Sequence, residues 1–157
     1  MPKIALVQAE GASPFHTMMI GGRRELVPFD RPSTIATAVN IGHPPSWKKA
    51  RDLLESVGGT TCSVTDGEIL EAKRLIDRSG IGCEPASAAT VAGLRKLVAS
   101  GTIDKDETAA CILTGNLLKD TDILRQTLWE NEKRRTQAAE LTLESIKGWI
   151  GCAESER

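Results

Sequence analysis

Apolar runs and amphipathic stretches follow one another along the chain and predict strands alternating with helices. Lys3–Gln8, Thr60–Val64 and Thr108–Leu113 are short apolar runs of the kind that forms buried strands. Strands that alternate with helices indicate an α/β architecture with a parallel sheet. Three strands are few for a doubly wound sheet. We therefore expect a partial three-layer parallel sheet with flanking helices, whose partner strands lie outside this chain.

Helix boundaries are predicted from caps, prolines and glycines. The helix that follows Thr65 is expected to point four residues inward, namely Ile69, Ala72, Leu75 and Ile76. The helix that begins at Pro85 is rich in small residues, which indicates a close packing partner. Gly11–Phe15 is expected to break the first strand, and Gly21–Pro32 to form a loop. Five helices are predicted. The first covers Ser33–Ile41, the second is capped by Ser46 and ended by Gly58, and the third begins with a Thr65–Glu68 capping box and is ended by Gly80. The fourth runs from Pro85 to about Ser100, and the fifth covers Thr121–Ile150.

Composition narrows the classes of function. The chain has 157 residues, 40% of them hydrophobic, enough for one domain or part of a larger one. A net charge of −1, with scattered basic residues, favours neither nucleic acid nor an anionic membrane surface as a partner. No apolar run reaches the roughly 18 residues of a membrane span, and Met1–Leu6 lacks a signal-peptide core. A cytoplasmic protein is expected.

The cysteines and histidines form no recognisable metal or redox pattern. The spacings match no CxxC or zinc motif, so we interpret the cysteines as small hydrophobic residues and expect no metal site. We assign no role to His16 or His43. The cysteines are Cys62, Cys83, Cys111 and Cys152.

Two segments, 82–89 and 112–120, place polar residues after a predicted strand, where ligands bind in open α/β sheets. In the second, the Thr114 hydroxyl can donate and accept, and Gly115 would let a flat ligand approach. In the first, Glu84 and Ser87 flank a helix N-terminus, which offers backbone donors. The same residues also suit an ordinary polar turn and a helix start without a ligand, and spacing alone favours that interpretation.

Five segments, which together cover roughly Pro2 to Asp120, resemble motifs of threonine synthases. They follow the family's order at about its spacing, which makes the set specific although each motif alone is weak. The segments are VQAEGASP (7–14), STIATAVNIGHPPSW (33–47), VTDGEILEA (64–72), CEPASAATVAGLRKL (83–97) and ILTGNLLKD (112–120).

The resemblance implies a fold-type-II enzyme dependent on pyridoxal 5'-phosphate (PLP), which converts O-phospho-L-homoserine and water to L-threonine and phosphate. It implies that Thr114 hydrogen-bonds the pyridine nitrogen of PLP, with Gly115, Glu84 and Ser87 also at the cofactor. Gly42 would lie in the wall on the substrate side.

The sequence departs from the family in three positions and lacks two of its parts. Leu117 stands where many members have glycine, Asn116 where many have histidine, and His43 where asparagine or aspartate is commoner. The family's Schiff-base lysine and glycine-rich phosphate loop lie upstream of the segment at 7–14, and no lysine here has a matching context. We therefore expect no catalytic residue in this chain and no activity from it alone.

The interpretation is a C-terminal part of the large domain over residues 1–120 and a helical tail over 121–157. The expected partner is the missing N-terminal segment or a second copy, and the chain would be a truncation, a split product or a mis-started reading frame. A threonine dehydratase or cysteine synthase is a weaker alternative, since the S-A-A helix start and the L-K-D ending argue against these enzymes. A second is a non-catalytic paralogue that binds partners through a tail containing Trp129 and Trp149. That tail could equally pack its own tryptophans.

Overall fold

The structure is a computed structural model, and it describes residues 2–123 of the chain. These residues belong to one compact unit, Met1–Ile123. The predicted helix over Thr121–Ile150 lies outside the described residues beyond its first three, so it stays a prediction, as does the boundary at residue 120.

Two strands and four α-helices form the described part. A parallel pair joins β1 to β2, in the register Ala5↔Thr60 to Ala9↔Val64, and both connecting helices lie between them in sequence. The elements are β1 (Ala5–Ala9), α1 (Pro14–Ile20), α2 (Trp47–Val57), β2 (Thr60–Val64), α3 (Asp66–Arg78) and α4 (Pro85–Ala99). The α/β class with a parallel sheet is confirmed.

Helices cover both faces of this small sheet. Successive residues of a strand point to opposite faces, so Val7 packs with α3 and α4 while Leu6 packs with α1 and α2. The first cluster is the larger and includes Cys62 and Cys83, whose burial raises the pKa of each thiol. These two cysteines therefore pack as small hydrophobic residues.

The prediction of a third strand at Thr108–Leu113 is wrong within the described residues. No strand is assigned there, and Ile112 is 73% exposed. A strand exists only through its backbone partners, and residues 2–123 provide none to this segment.

The predicted helix Ser33–Ile41 is also wrong. Only Thr37–Val39 forms a single 3₁₀ turn. The Asp66 carboxylate, at the start of α3, accepts hydrogen bonds from Thr34 Oγ1 (2.5 Å) and Ile35 N (3.2 Å). These tertiary bonds use a backbone donor in this segment and so compete with a helix.

Helix α1 was missed, because Gly11–Phe15 was expected only to interrupt the first strand. Pro14 occupies the first turn, which suits its fixed φ and its missing N–H. Phe15 and Met18, three residues apart, are buried against α2. The signal was a proline followed by apolar residues at helical spacing.

Helix α3 begins and ends as predicted but buries a different residue. Thr65 and Glu68 form both bonds of the capping box. Leu75 is exposed, whereas Lys73 is buried and its ammonium lies 2.8 Å from Asp77 Oδ2. Ile69, Lys73 and Ile76 are spaced by four and three residues and so share a face. Leu75 does not fit that spacing.

No helix within residues 2–123 is both long and apolar enough to cross a membrane.

Gly93→Ala should destabilise the protein by about 1–3 kcal/mol, because the added methyl would overlap the Val7 side chain. Alanine is otherwise the better helix former, so the sign of the effect reports the close approach of α4 to β1. Urea denaturation measures it. Gly67→Ala in α3 is the matched control, since the nearest atom to the new methyl is Thr65 Oγ1 at 3.8 Å. Equal effects at the two glycines would contradict the packing.

The free energy of unfolding should decrease as the pH is lowered, because of the titration of His16. The Nδ1 atom of this residue lies 2.9 Å from Thr61 Oγ1. Burial, and secondarily Lys96, lowers the pKa of His16 from its ordinary value of 6.5. The unfolded chain then takes up the proton first, so stability from neutral His16 is complete above pH 6.5 and is lost as pH falls through the folded-state pKa. Denaturation of wild type and His16→Gln between about pH 7.5 and 5 tests this. Identical pH slopes for the two proteins would refute it.

Candidate functional site

The start of α4 is built from residues that the sequence analysis singled out. Pro85 fills the first turn, and Glu84 precedes it with extended backbone. Glu84 and Ser87 are 6% and 2% exposed, although both are polar. Buried polar side chains require partners, and the partner of the Ser87 hydroxyl lies in the second segment.

Residues 82–84 run antiparallel to residues 115–117, and we call this pairing the latch. Cys83 and Asn116 form its central bridge. The Leu117 side chain lies over Gly82, where an added Cβ would be 2.8 Å from Leu117 Cδ2. The stretch that precedes α4 is thus paired through Cys83 with an antiparallel partner.

Both backbone polar groups of Gly115 are bonded to the start of α4. Gly115 N donates to Ser87 Oγ at 2.8 Å, and Gly115 O accepts from Glu84 N at 3.1 Å. The bond to Ser87 is buried, where leaving the N–H unpaired would cost about 1–3 kcal/mol. The two segments that were expected to share a site are thus joined.

Glycine is required at position 115 by the Glu84 side chain, whereas any residue other than proline could make the two backbone bonds. A Cβ at Gly115 would overlap the Glu84 carboxyl group. The carboxylate therefore lies directly over the Gly115 backbone, and any larger residue would separate the two segments.

Thr114 lies at the exposed end of this arrangement. Its Cβ is at most about 4 Å from Gly115 N by covalent geometry, so it lies within about 7 Å of Ser87 Oγ, given the 2.8 Å bond. The residue is exposed while its neighbour Gly115 is buried. Thr114 is thus an exposed residue next to a backbone held by two hydrogen bonds.

Thr114 does not follow a strand, contrary to the expectation, because the segment before it has no backbone partner within residues 2–123.

Gly42 is packed in a different loop contact. Its carbonyl accepts from Phe29 N at 3.0 Å, and the atoms nearest an added Cβ belong to Phe29 and Pro32. The same part of the chain reaches the second segment through Thr37, whose Oγ1 donates to Asp120 Oδ2 at 3.2 Å. The expected position of Gly42 in a wall on the substrate side stays a prediction.

Thr114, whose hydroxyl can donate or accept a hydrogen bond, is the exposed residue next to the latch. No group of three or more metal-ligating side chains occurs within the described residues.

Gly115→Ala should open the latch, because the methyl would overlap the Glu84 carboxyl group. Glu84→Ala removes the overlapping atoms and keeps the backbone donor of residue 84. The double variant should therefore be more stable than the two single effects predict, with a coupling of about 1–2 kcal/mol. Urea denaturation of the four proteins measures the coupling. Additive effects would show that the carboxylate does not lie over Gly115.

Comparison with solved structures identifies the fold. A threonine deaminase from the source abbreviated "T.th." superposes with a TM-score of 0.55 at 24% identity, over 73% of this chain and 39% of that chain. Maize serine racemase gives a TM-score of 0.64 at 19% identity, over 82% and 40%. At these identities the likeness establishes the fold alone, and it confirms the fold-type-II architecture.

Sequence relatives confirm the resemblance to threonine synthases. The threonine synthase of Methanosarcina acetivorans is 50% identical over 121 residues, which are 76% of this chain and 30% of the relative. That of Methanocaldococcus jannaschii is 46% identical over 123 residues, 78% of this chain and 30% of the relative. That of Halalkalibacterium halodurans is 38% identical over 151 residues, 96% and 40%. The chain spans about a third of the length of these curated relatives.

The family comparison covers most of the chain, including residues 82–84 and Gly115 of the latch. The model of the family described as "Pyridoxal-phosphate dependent enzyme" matches residues 1–115, which end at Gly115. Its cofactor, as the description states, is pyridoxal phosphate. On this match, the chain belongs to the family of pyridoxal-phosphate-dependent enzymes.

Proposed function

We propose that this chain forms the pyridine side of the PLP site of a threonine synthase, which converts O-phospho-L-homoserine and water to L-threonine and phosphate. One observation carries the proposal: the exposed residue Thr114 lies beside a buried Gly115 that makes two hydrogen bonds, in a chain 50% identical to a threonine synthase over 121 residues. The substrate class follows from those relatives.

Thr114 has the central role in this proposal. When bound, PLP acts as the electron sink for the reaction. The Thr114 hydroxyl would face the ring nitrogen and hydrogen-bond it. A hydroxyl is neutral, so it would leave this nitrogen largely unprotonated and temper the electron withdrawal. A carboxylate in the same place would instead favour protonation.

The neighbouring residues would shape the edge of the site. Gly115 would hold the backbone next to Thr114 in place, since the position of its missing side chain is occupied by the Glu84 carboxyl group. Glu84 and Ser87 would border the ring, and Gly42 would contribute to the substrate-side wall. Hydrogen bonds join Gly115 to both Glu84 and Ser87.

Two parts of the PLP site, the Schiff-base lysine and the phosphate loop, would come from a part of the threonine synthase fold that this chain does not include. The lysines of the described part have other contacts or exposed positions. Lys73 is bonded to Asp77, Lys96 donates to Ser63 O, and Lys119 is exposed. A covalent lysine needs its amine free to attack a carbonyl. The partner of this chain would thus be the remainder of that fold or a second copy, in the cytoplasm.

A chimera tests the function: this chain replaces the matching 30% of the M. acetivorans enzyme, and phosphate release from O-phospho-L-homoserine is assayed. We expect release, and a loss of about tenfold in Thr114→Ala, since one hydrogen bond to the cofactor is removed. Thr114→Ser, which keeps the hydroxyl, is the matched control and should stay near the parent. Full activity in Thr114→Ala would reject the role of the hydroxyl.

The isolated chain is the negative control of that experiment. Mixed with PLP and reduced with borohydride, it should retain no cofactor on a lysine and release no phosphate. A PLP adduct at one defined lysine, together with turnover, would mean that the chain contains its own catalytic lysine.

A further inference from the structure

We propose that Ser87 is a positioning residue, which fixes the Thr114 hydroxyl by holding the Gly115 N–H. This role rests on the proposed function of Thr114 but differs from a contact between Ser87 and the cofactor. Ser87 acts through the backbone of another segment, 28 residues away in sequence.

The peptide bond makes this action possible. Gly115 N belongs to the planar unit that begins at Thr114 Cα, so fixing the N–H orients the whole plane. Ser87 Oγ accepts from this N–H at 2.8 Å, and Glu84 N holds the next carbonyl at 3.1 Å. With both sides of Gly115 held, the position of Thr114 Cα is set, and only local rotations of Thr114 remain.

Ser87 is itself held rigidly. It is 2% exposed in the first turn of α4, where its N–H donates to Glu84 O and its carbonyl accepts from Thr90 Oγ1. A site held within a fraction of an ångström needs supporting groups on rigid elements. Thr114 lacks that support from a strand of its own, since the segment before it is unpaired within residues 2–123.

The chemistry of residue 87 accounts for serine in place of alanine at this buried position. Alanine would suit the helix better, but it would leave the buried Gly115 N–H without an acceptor. The hydroxyl provides that acceptor and keeps its own proton. The Gly115 N–H therefore depends on the Ser87 hydroxyl for its acceptor.

Nuclear magnetic resonance of the full chain tests the role directly. In Ser87→Ala we expect the Gly115 amide proton to shift upfield and to exchange about tenfold faster, and the backbone signals of Thr114 to shift with it. Amides of β1 and β2 should keep their protection, which a general loss of stability would not allow. Ser87→Thr keeps the oxygen and should restore both signals. An unchanged Gly115 amide in Ser87→Ala overturns the proposal.

The chimera described above separates this role from the proposed function. Ser87→Ala should lower phosphate release about threefold in the parent chimera and have no further effect in the Thr114→Ala background, because Ser87 acts through Thr114. An equal, multiplicative loss in both backgrounds overturns the positioning role. If the Thr114→Ala chimera keeps full activity, the proposed function fails, whereas the Gly115 amide still decides whether Ser87 holds the latch.

Discussion

The close approach of α4 to the sheet is the constraint on which the rest of the described structure depends. Gly93 lies against Val7 with no room for a methyl group. Ala88, Ala89 and Ala92 on the same helix are buried in the core. Small residues let a helix lie near a sheet at the cost of side-chain area that larger residues would bury. What is gained is position: the N-terminus of α4 comes close enough to hold Gly115.

The sequence predicted the elements whose signals are local. The capping box at Thr65, the proline that opens α4 and the glycine that ends α2 each act within a few residues. The predictions that failed depended on distant residues. Thr34 and Ile35 are held by Asp66, more than 30 residues away, and the segment Thr108–Leu113 lacks a partner strand within residues 2–123.

The candidate site shows the same division. Motif resemblance singled out Glu84, Ser87, Thr114 and Gly115, because residue identity is what a motif preserves. Their arrangement was not readable, since the bond from Gly115 N to Ser87 Oγ joins residues 28 positions apart. Nor could a pattern show that Lys73 is buried beside Asp77, because lysine is ordinarily a surface residue and only an ion pair makes its burial tolerable.

Two departures from the threonine synthase pattern are explained by the latch. Leu117, where many members have glycine, lies over Gly82, which has no side chain to oppose it. Asn116, where many have histidine, accepts a hydrogen bond from Leu118 N at 2.9 Å and so begins the 3₁₀ turn Leu117–Lys119. Each change is absorbed on the side of the latch away from Gly115. The bonds at Gly115 involve only its backbone, the Glu84 backbone and one serine hydroxyl, so bulk at residue 117 can vary without moving Thr114. The 3₁₀ turn Leu117–Lys119 can therefore differ in sequence without changing the two hydrogen bonds of Gly115.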